Sequence, residues 1–229
     1  MPSLLIADDH PLFRAALHRA AIDAVDDLQI IETDAFYGVM EMIEQQEIDL
    51  LLLDLNMPGN HGLAGLAAIR AAKPGLAIII VSANEELSVV RRAFDLGAAG
   101  YLPKSSGVAD LREALQTVLE GEPWLPPGLR AAVAGAPGCP GDALLADRLA
   151  SLTPQQYKVL DLVAQGLLNK QIADRMGIQL RTVKAHMTHI MERLGVRNRT
   201  QAIRVLHEFG ISEPARIIGM GDGDAPSSG

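Results

Sequence analysis

From residue 4 to residue 102, short apolar runs alternate with longer stretches whose apolar residues recur every three or four positions. The short runs, at residues 4–7, 28–32, 50–54, 77–82 and 100–102, have the length of strands. LLLL at 50–53 and IIIV at 78–81 are apolar at successive positions, which suits a parallel sheet covered on both faces. The longer stretches, at 11–24, 35–46, 63–72, 86–96 and 108–119, predict helices. Five βα units in about 120 residues predict a doubly wound α/β domain, where ligands sit at the carboxyl ends of the strands.

The alternation stops near residue 121. Pro123, Pro126, Pro127, Pro137 and Pro140 fall among Gly121, Gly128, Gly135, Gly138 and Gly141, so 122–150 reads as a linker with a short helix near 142–150. From residue 151 the pattern is helical only, at 154–165, 169–176, 180–193 and 199–209. Residues 212–229, rich in Gly, Pro, Ser and Asp, read as a mobile tail. The expected organisation is therefore an α/β domain over 1–121, a linker over 122–150, an all-α four-helix domain over 151–211 and a tail. At 229 residues the chain can bury two small cores.

Composition narrows the setting. No apolar run approaches the roughly 18 residues of a membrane span. Met1-Pro2-Ser3 does not open a secretion signal. A single cysteine, Cys139, makes no intrachain disulfide and supplies no metal site alone. A cytoplasmic protein with no membrane partner is expected. The formal net charge of −8 is unevenly spread. Residues 1–121 carry 8 Lys and Arg against 18 Asp and Glu, a net −10, whereas 151–211 carry 9 against 4, a net +5. The C-terminal part has the sign needed to approach phosphates.

Asp8 and Asp9 follow the first strand and Asp54 ends the third, so chain direction brings all three to one sheet edge. Crowded carboxylates repel unless a cation lies among them, and all-oxygen donors favour Mg2+. Asp54 could then act as a nucleophile that forms an aspartyl phosphate. Ser82 ends the fourth strand and Lys104 follows the fifth, and a hydroxyl and an ammonium both suit phosphoryl oxygens. Singly these are common features: Asp8-Asp9 could cap the helix entering at Pro11, and Lys104 could be a solvated charge. Together, at the ends of four strands, they are hard to produce by chance.

The runs LLIADDHPLFR, LLLDLNMPGNHGL, IIIVSANEE and GAAGYLPKS resemble the receiver domain of bacterial response regulators over roughly residues 3–120. The resemblance implies a flavodoxin-like five-stranded parallel sheet, with Asp54 as phosphoacceptor. It further implies Asp9, Asp54 and the backbone carbonyl of Asn56 as direct Mg2+ ligands, with Asp8 acting through water. Ser82 and Tyr101 would be a switch pair, the hydroxyl moving onto the phosphoryl group and the ring turning inward behind it.

In the predicted helix at 180–193, Val183, Met187, Ile190 and the following Leu194 form one apolar stripe. Arg181, Lys184, Ala185 and Thr188 project from the other side, within about 100° of arc. Cationic side chains flanking a small one suit a helix in the major groove. Lys170, Arg197 and Arg199 suit phosphate contacts. The motif NKQIA…RTVKAHM…I…RLGV resembles the LuxR-type helix-turn-helix over roughly 60 residues. That implies a recognition helix at 180–193, with Lys184, Ala185 and Thr188 nearest the bases and Arg181 and Thr182 beside them. Gln156 and Gln171 stand where the family usually has Glu, Gln179 where it has Ser or Thr, and Thr188 where Lys is common.

The two resemblances imply a two-component response regulator of the NarL/FixJ type. A sensor histidine kinase would phosphorylate Asp54, and a homodimer formed through 199–209 would bind promoter DNA, with RNA polymerase as a further candidate partner. In the resting state the receiver would cover the recognition helix or keep two subunits apart. No enzyme activity is expected beyond slow self-phosphorylation and self-dephosphorylation. Two alternatives stay open. One is a transcription factor whose receiver takes a ligand or partner instead of phosphate. The other is an aspartate-dependent phosphotransferase, disfavoured because Asn56 stands where haloacid-dehalogenase-type hydrolases carry a second acid.

Overall fold

The computed structural model describes residues 1–135 and 140–209. Five strands, β1 (Ser3–Ala7), β2 (Gln29–Thr33), β3 (Leu50–Asp54), β4 (Ala77–Ser82) and β5 (Gly100–Pro103), form one parallel sheet in the order β2-β1-β3-β4-β5. The order reverses between β1 and β3, so a crevice opens beyond their carboxyl ends. Asp8, Asp9 and Asp54 stand there. Side chains alternate between the faces. Leu4, Ile6, Leu50, Leu52, Ile79 and Val81 pack with α1 (Pro11–Ile22) and α5 (Val108–Leu119). Leu5, Leu51, Leu53, Ile78 and Ile80 face α2 (Phe36–Gln45), α3 (Leu63–Ala72) and α4 (Leu87–Asp95).

Segment 122–150, expected as a linker with one short helix, carries two: α6 (Pro127–Gly135) and α7 (Pro140–Ala150). Each opens on a proline, whose fixed φ and missing N–H suit a first helical position. Cys139 and the tail at 212–229 lie outside the described residues. Ahead of α6, Trp124 bridges to Gly100, donating its N–H to the Ala99 carbonyl (3.0 Å) and accepting from the Tyr101 N–H (3.2 Å). This closes the free edge of β5.

The remaining helices are α8 (Pro154–Ala164), α9 (Asn169–Met176), α10 (Leu180–Leu194) and α11 (Arg199–Phe209). Their core, including Tyr157, Leu160, Ile172, Val183, Met187, Ile190, Leu194 and Leu206, is continuous with the α2–α3 side of the sheet domain. The continuity runs through α3, which is buried along 63–69. Helix α7 packs along α3 and also against α10, and α11 touches α3.

Gly65 lies where α3 meets the loop after β3. A Cβ there would sit 2.0 Å from Asn60 Oδ1 and 2.8 Å from Phe36 Cε2. Gly65→Ala is expected to lower stability by about 1–3 kcal/mol in urea unfolding, despite alanine's helix propensity. An unchanged or raised midpoint would show that Asn60 can move aside freely.

Candidate functional site

Asp54 ends β3 fully buried, and Asp8, one residue past β1, is 1 % exposed. Asp54 Oδ1 accepts from the Asn56 N–H (3.0 Å) and Oδ2 from Lys104 Nζ (2.8 Å). The same ammonium lies 2.8 Å from Asp8 Oδ2. Lys104 reaches this point because its own N–H donates to the Ser82 carbonyl (2.8 Å), continuing the β4–β5 pairing. Burial pushes the Asp54 carboxyl above its ordinary range. Lys104 and the Asn56 N–H oppose that rise without cancelling it, and the Asp8 charge adds to it. For Lys104 the balance reverses: burial alone would lower its pKa, but the hydrogen bond to Asp54 and the adjacent Asp8 carboxylate hold it above normal.

The residues fit a divalent cation. Asp8, Asp9, His10 and Asp54 each offer a ligand atom within 4.8 Å of the others. Asp8 Oδ2 and Asp9 Oδ1 are buried without an aligned hydrogen-bond donor, although Lys104 and His10 lie near them off-axis. Hard oxygen donors in this state suit Mg2+. His10 went unremarked in the sequence. Its Nδ1 lies 2.9 Å from Asp9 Oδ1 and 3.3 Å from Asp8 Oδ1, and its place directly after two aspartates was the available signal.

Ser82 is fully buried at the end of β4, and its Oγ accepts from the Asn84 N–H (3.1 Å). Tyr101 was expected to turn inward on activation, yet in this structure its ring is already fully buried and its hydroxyl donates to the Asn84 carbonyl (2.5 Å). The Trp124 bridge holds its backbone from the open side of β5. Burial pushes the Tyr101 phenol up to about 12.

In the helical part, Gly177 in the left-handed conformation ends α9 and turns the chain into α10. The apolar stripe of α10 is buried, whereas Arg181, Lys184, Ala185 and Thr188 are exposed together and Thr182 is half-buried. The face foreseen for base contact is thus open, which is at odds with the first of the two resting arrangements considered, a receiver lying over this helix, and leaves the second standing. Lys170 and Arg197 are exposed. Arg199 differs from the surface role foreseen for it: its Nη2 donates to the carbonyls of Val163 (3.1 Å) and Leu167 (2.6 Å), tying α11 to the end of α8. Gln156 and Gln171 still cap, accepting from the N–H of Thr153 (3.0 Å) and Leu168 (2.8 Å). Gln179 makes no side-chain cap on α10.

Residues 4–116 match the family described as "Response regulator receiver domain", and residues 150–206 match "Bacterial regulatory proteins, luxR family". The chain is 38 % identical over 207 residues to the glycerol metabolism activator of Pseudomonas putida, covering 89 % of this chain and 94 % of that protein. It is 33 % identical over 212 residues to the nitrate/nitrite response regulator protein NarL of Escherichia coli, covering 90 % and 95 %. Among solved structures it is similar in fold to RcsB of Salmonella typhimurium, with a TM-score of 0.55, 22 % identity, and coverage of 90 % and 97 %. The chain belongs to the NarL-type response regulators of two-component systems, transcription regulators that join a receiver domain to a luxR-type DNA-binding domain.

Proposed function

We propose that Asp54 accepts a phosphoryl group from a sensor histidine kinase and that this controls sequence-specific DNA binding by α10. The observation that carries the reading is the fully buried Asp54 carboxylate, bracketed by Asp8 and the Lys104 ammonium at the sheet's switch point. In the reaction an Asp54 oxygen attacks phosphorus as the bond to the donor imidazole nitrogen breaks, and that nitrogen leaves with the electron pair. Lys104 and Ser82 receive the phosphoryl oxygens, by charge and by hydroxyl donation. Asp9, Asp54 and the Asn56 carbonyl would hold Mg2+, with Asp8 acting through water; the ion would supply charge neutralisation for the transferred group.

The domain division that goes with this is a receiver over 1–121, a connector over 122–150 and a DNA-binding domain over 151–211. Arg181, Thr182, Lys184, Ala185 and Thr188 would face the bases, and Lys170 and Arg197 the phosphates. Arg199 would contribute through the corner it braces. A homodimer through α11 would bind a two-fold-related promoter site, with RNA polymerase as a further partner. Among the described residues no helix is long and apolar enough to cross a membrane, in keeping with a cytoplasmic setting. Activity of its own would be limited to slow self-phosphorylation from small phosphodonors and self-dephosphorylation.

Acetyl phosphate with Mg2+ should add one hydroxylamine-labile phosphoryl group at Asp54, read by mass spectrometry and absent from Asp54→Asn. Beryllofluoride should raise affinity for a duplex selected with the activated protein. Equal affinity of treated wild type and Asp54→Asn at fixed salt would remove the phospho-switch.

A further inference from the structure

Asp161, on α8 of the DNA-binding half, is 2 % exposed although it carries a carboxylate. Two of its partners come from the other half of the chain: the Tyr37 hydroxyl of α2 donates to Oδ2, and His61 Nε2 lies 2.7 Å from Oδ1. A third, Gln165, lies one turn on and donates to both oxygens (3.0 and 2.9 Å). Around this centre the Phe36 ring packs on Tyr157 with centroids 5.3 Å apart, and Lys158 Nζ stands 4.9 Å over the Tyr37 ring. His61 meets the edge of His207 on α11 at 6.4 Å. Burial alone would raise the Asp161 carboxyl, but donation from His61, Tyr37 and Gln165 outweighs it and holds the group below its ordinary value. Each oxygen thus has a donor from its own half, Gln165, and one from the receiver, and without the receiver only Gln165 would remain.

The loop after β3 connects this cluster to Asp54. Asn60 Nδ2 donates to the carbonyls of Asp54 (3.2 Å) and Leu55 (3.1 Å), and His61 is the next residue. The Phe36 N–H donates to the Pro58 carbonyl (2.9 Å). Gly59, at φ 82°, lies so close under Tyr37 that a Cβ would come 2.8 Å from the ring. One loop therefore borders Asp54, carries one donor and supports the other.

We propose that Tyr37, His61 and Asp161 form an interdomain latch that grips the DNA-binding half by α8 and α11 while leaving the reading face of α10 open. Its release by way of loop 55–62 rests on the phosphoacceptor reading; the latch itself does not.

The test uses the full chain with substitutions on the receiver side, so that the helical core is untouched. Small-angle scattering of Tyr37→Phe/His61→Ala, without phosphodonor, should give a radius of gyration above the roughly 17 Å expected of a compact chain of this length. His61→Gln, which keeps a donor, should stay compact. Affinity for a random-sequence duplex should stay within about twofold of wild type, because α10 is exposed in both. An unexpanded double variant overturns the latch. A gain of about tenfold in that affinity would overturn the open reading face. If the phosphoacceptor reading alone fails, beryllofluoride leaves wild type compact while the double variant still opens.

Discussion

Replacing Lys104 with methionine is expected to cost the receiver about 3–5 kcal/mol at neutral pH, because Asp8 and Asp54 would remain buried without their shared counter-charge. Both carboxylates lie 2.8 Å from Nζ and are almost fully enclosed. The pH dependence follows from Asp54, whose pKa in the folded protein already stands above its ordinary value. A carboxyl raised on folding weakens the fold when ionised, so stability falls as pH rises through the folded pKa. Loss of Lys104 removes an opposing influence and deepens that fall. Urea melts at about pH 5 and about pH 7.5 should show the larger deficit at the higher pH. Adding Mg2+, or Asp54→Asn in the same background, should recover much of it. A variant as stable as wild type at the higher pH, without the metal, would mean that the ammonium does not balance this pocket.

The second large effect is on DNA. Lys184 is exposed on α10 beside Ala185 and one turn before Thr188, whose hydroxyl donates back to the Lys184 carbonyl (3.2 Å). Lys184→Ala is expected to weaken binding to a selected duplex by about 1–3 kcal/mol, and to weaken random-sequence binding much less. Lys170→Ala should instead weaken both alike and reduce the salt slope by about one. Anisotropy titrations over a salt series separate the two. Equal losses for Lys184→Ala on both duplexes would reassign it from base to phosphate.

Much of this architecture could be read from the chain. Runs such as LLLLD and AIIIVS are apolar at consecutive positions and end on a polar atom, so strand and site residue announce each other. Helix periodicity marked the C-terminal helices, and the motif NKQIA…RTVKAHM…I…RLGV identified them as a helix-turn-helix by resemblance. What escaped was how the halves meet. Helix α3, LAGLAAIRAA, has almost no polar face, and a helix apolar all round signals cover on every side. That signal was present in the sequence but named no partner. Tyr37 and Asp161 stand 124 positions apart, and no periodicity pairs such residues. The prolines of 122–150 looked like interruptions because Pro127 and Pro140 open helices only where φ and the surrounding packing agree. Arg199 resembled any surface cation until the fold turned it toward α8.

The stitching of Trp124 to the open edge of β5 fixes the start of the connector on the receiver, and only residues 136–139 separate α6 from α7. So short a leash keeps the effective concentration of one half near the other high, on the order of millimolar or above. The apolar packing of α7 on α3 and the polar cluster around Asp161 can then hold a closed population that the same two pieces, cut apart, would not maintain. A bias of about 5.5 kcal/mol would then carry that population from almost wholly closed to almost wholly open.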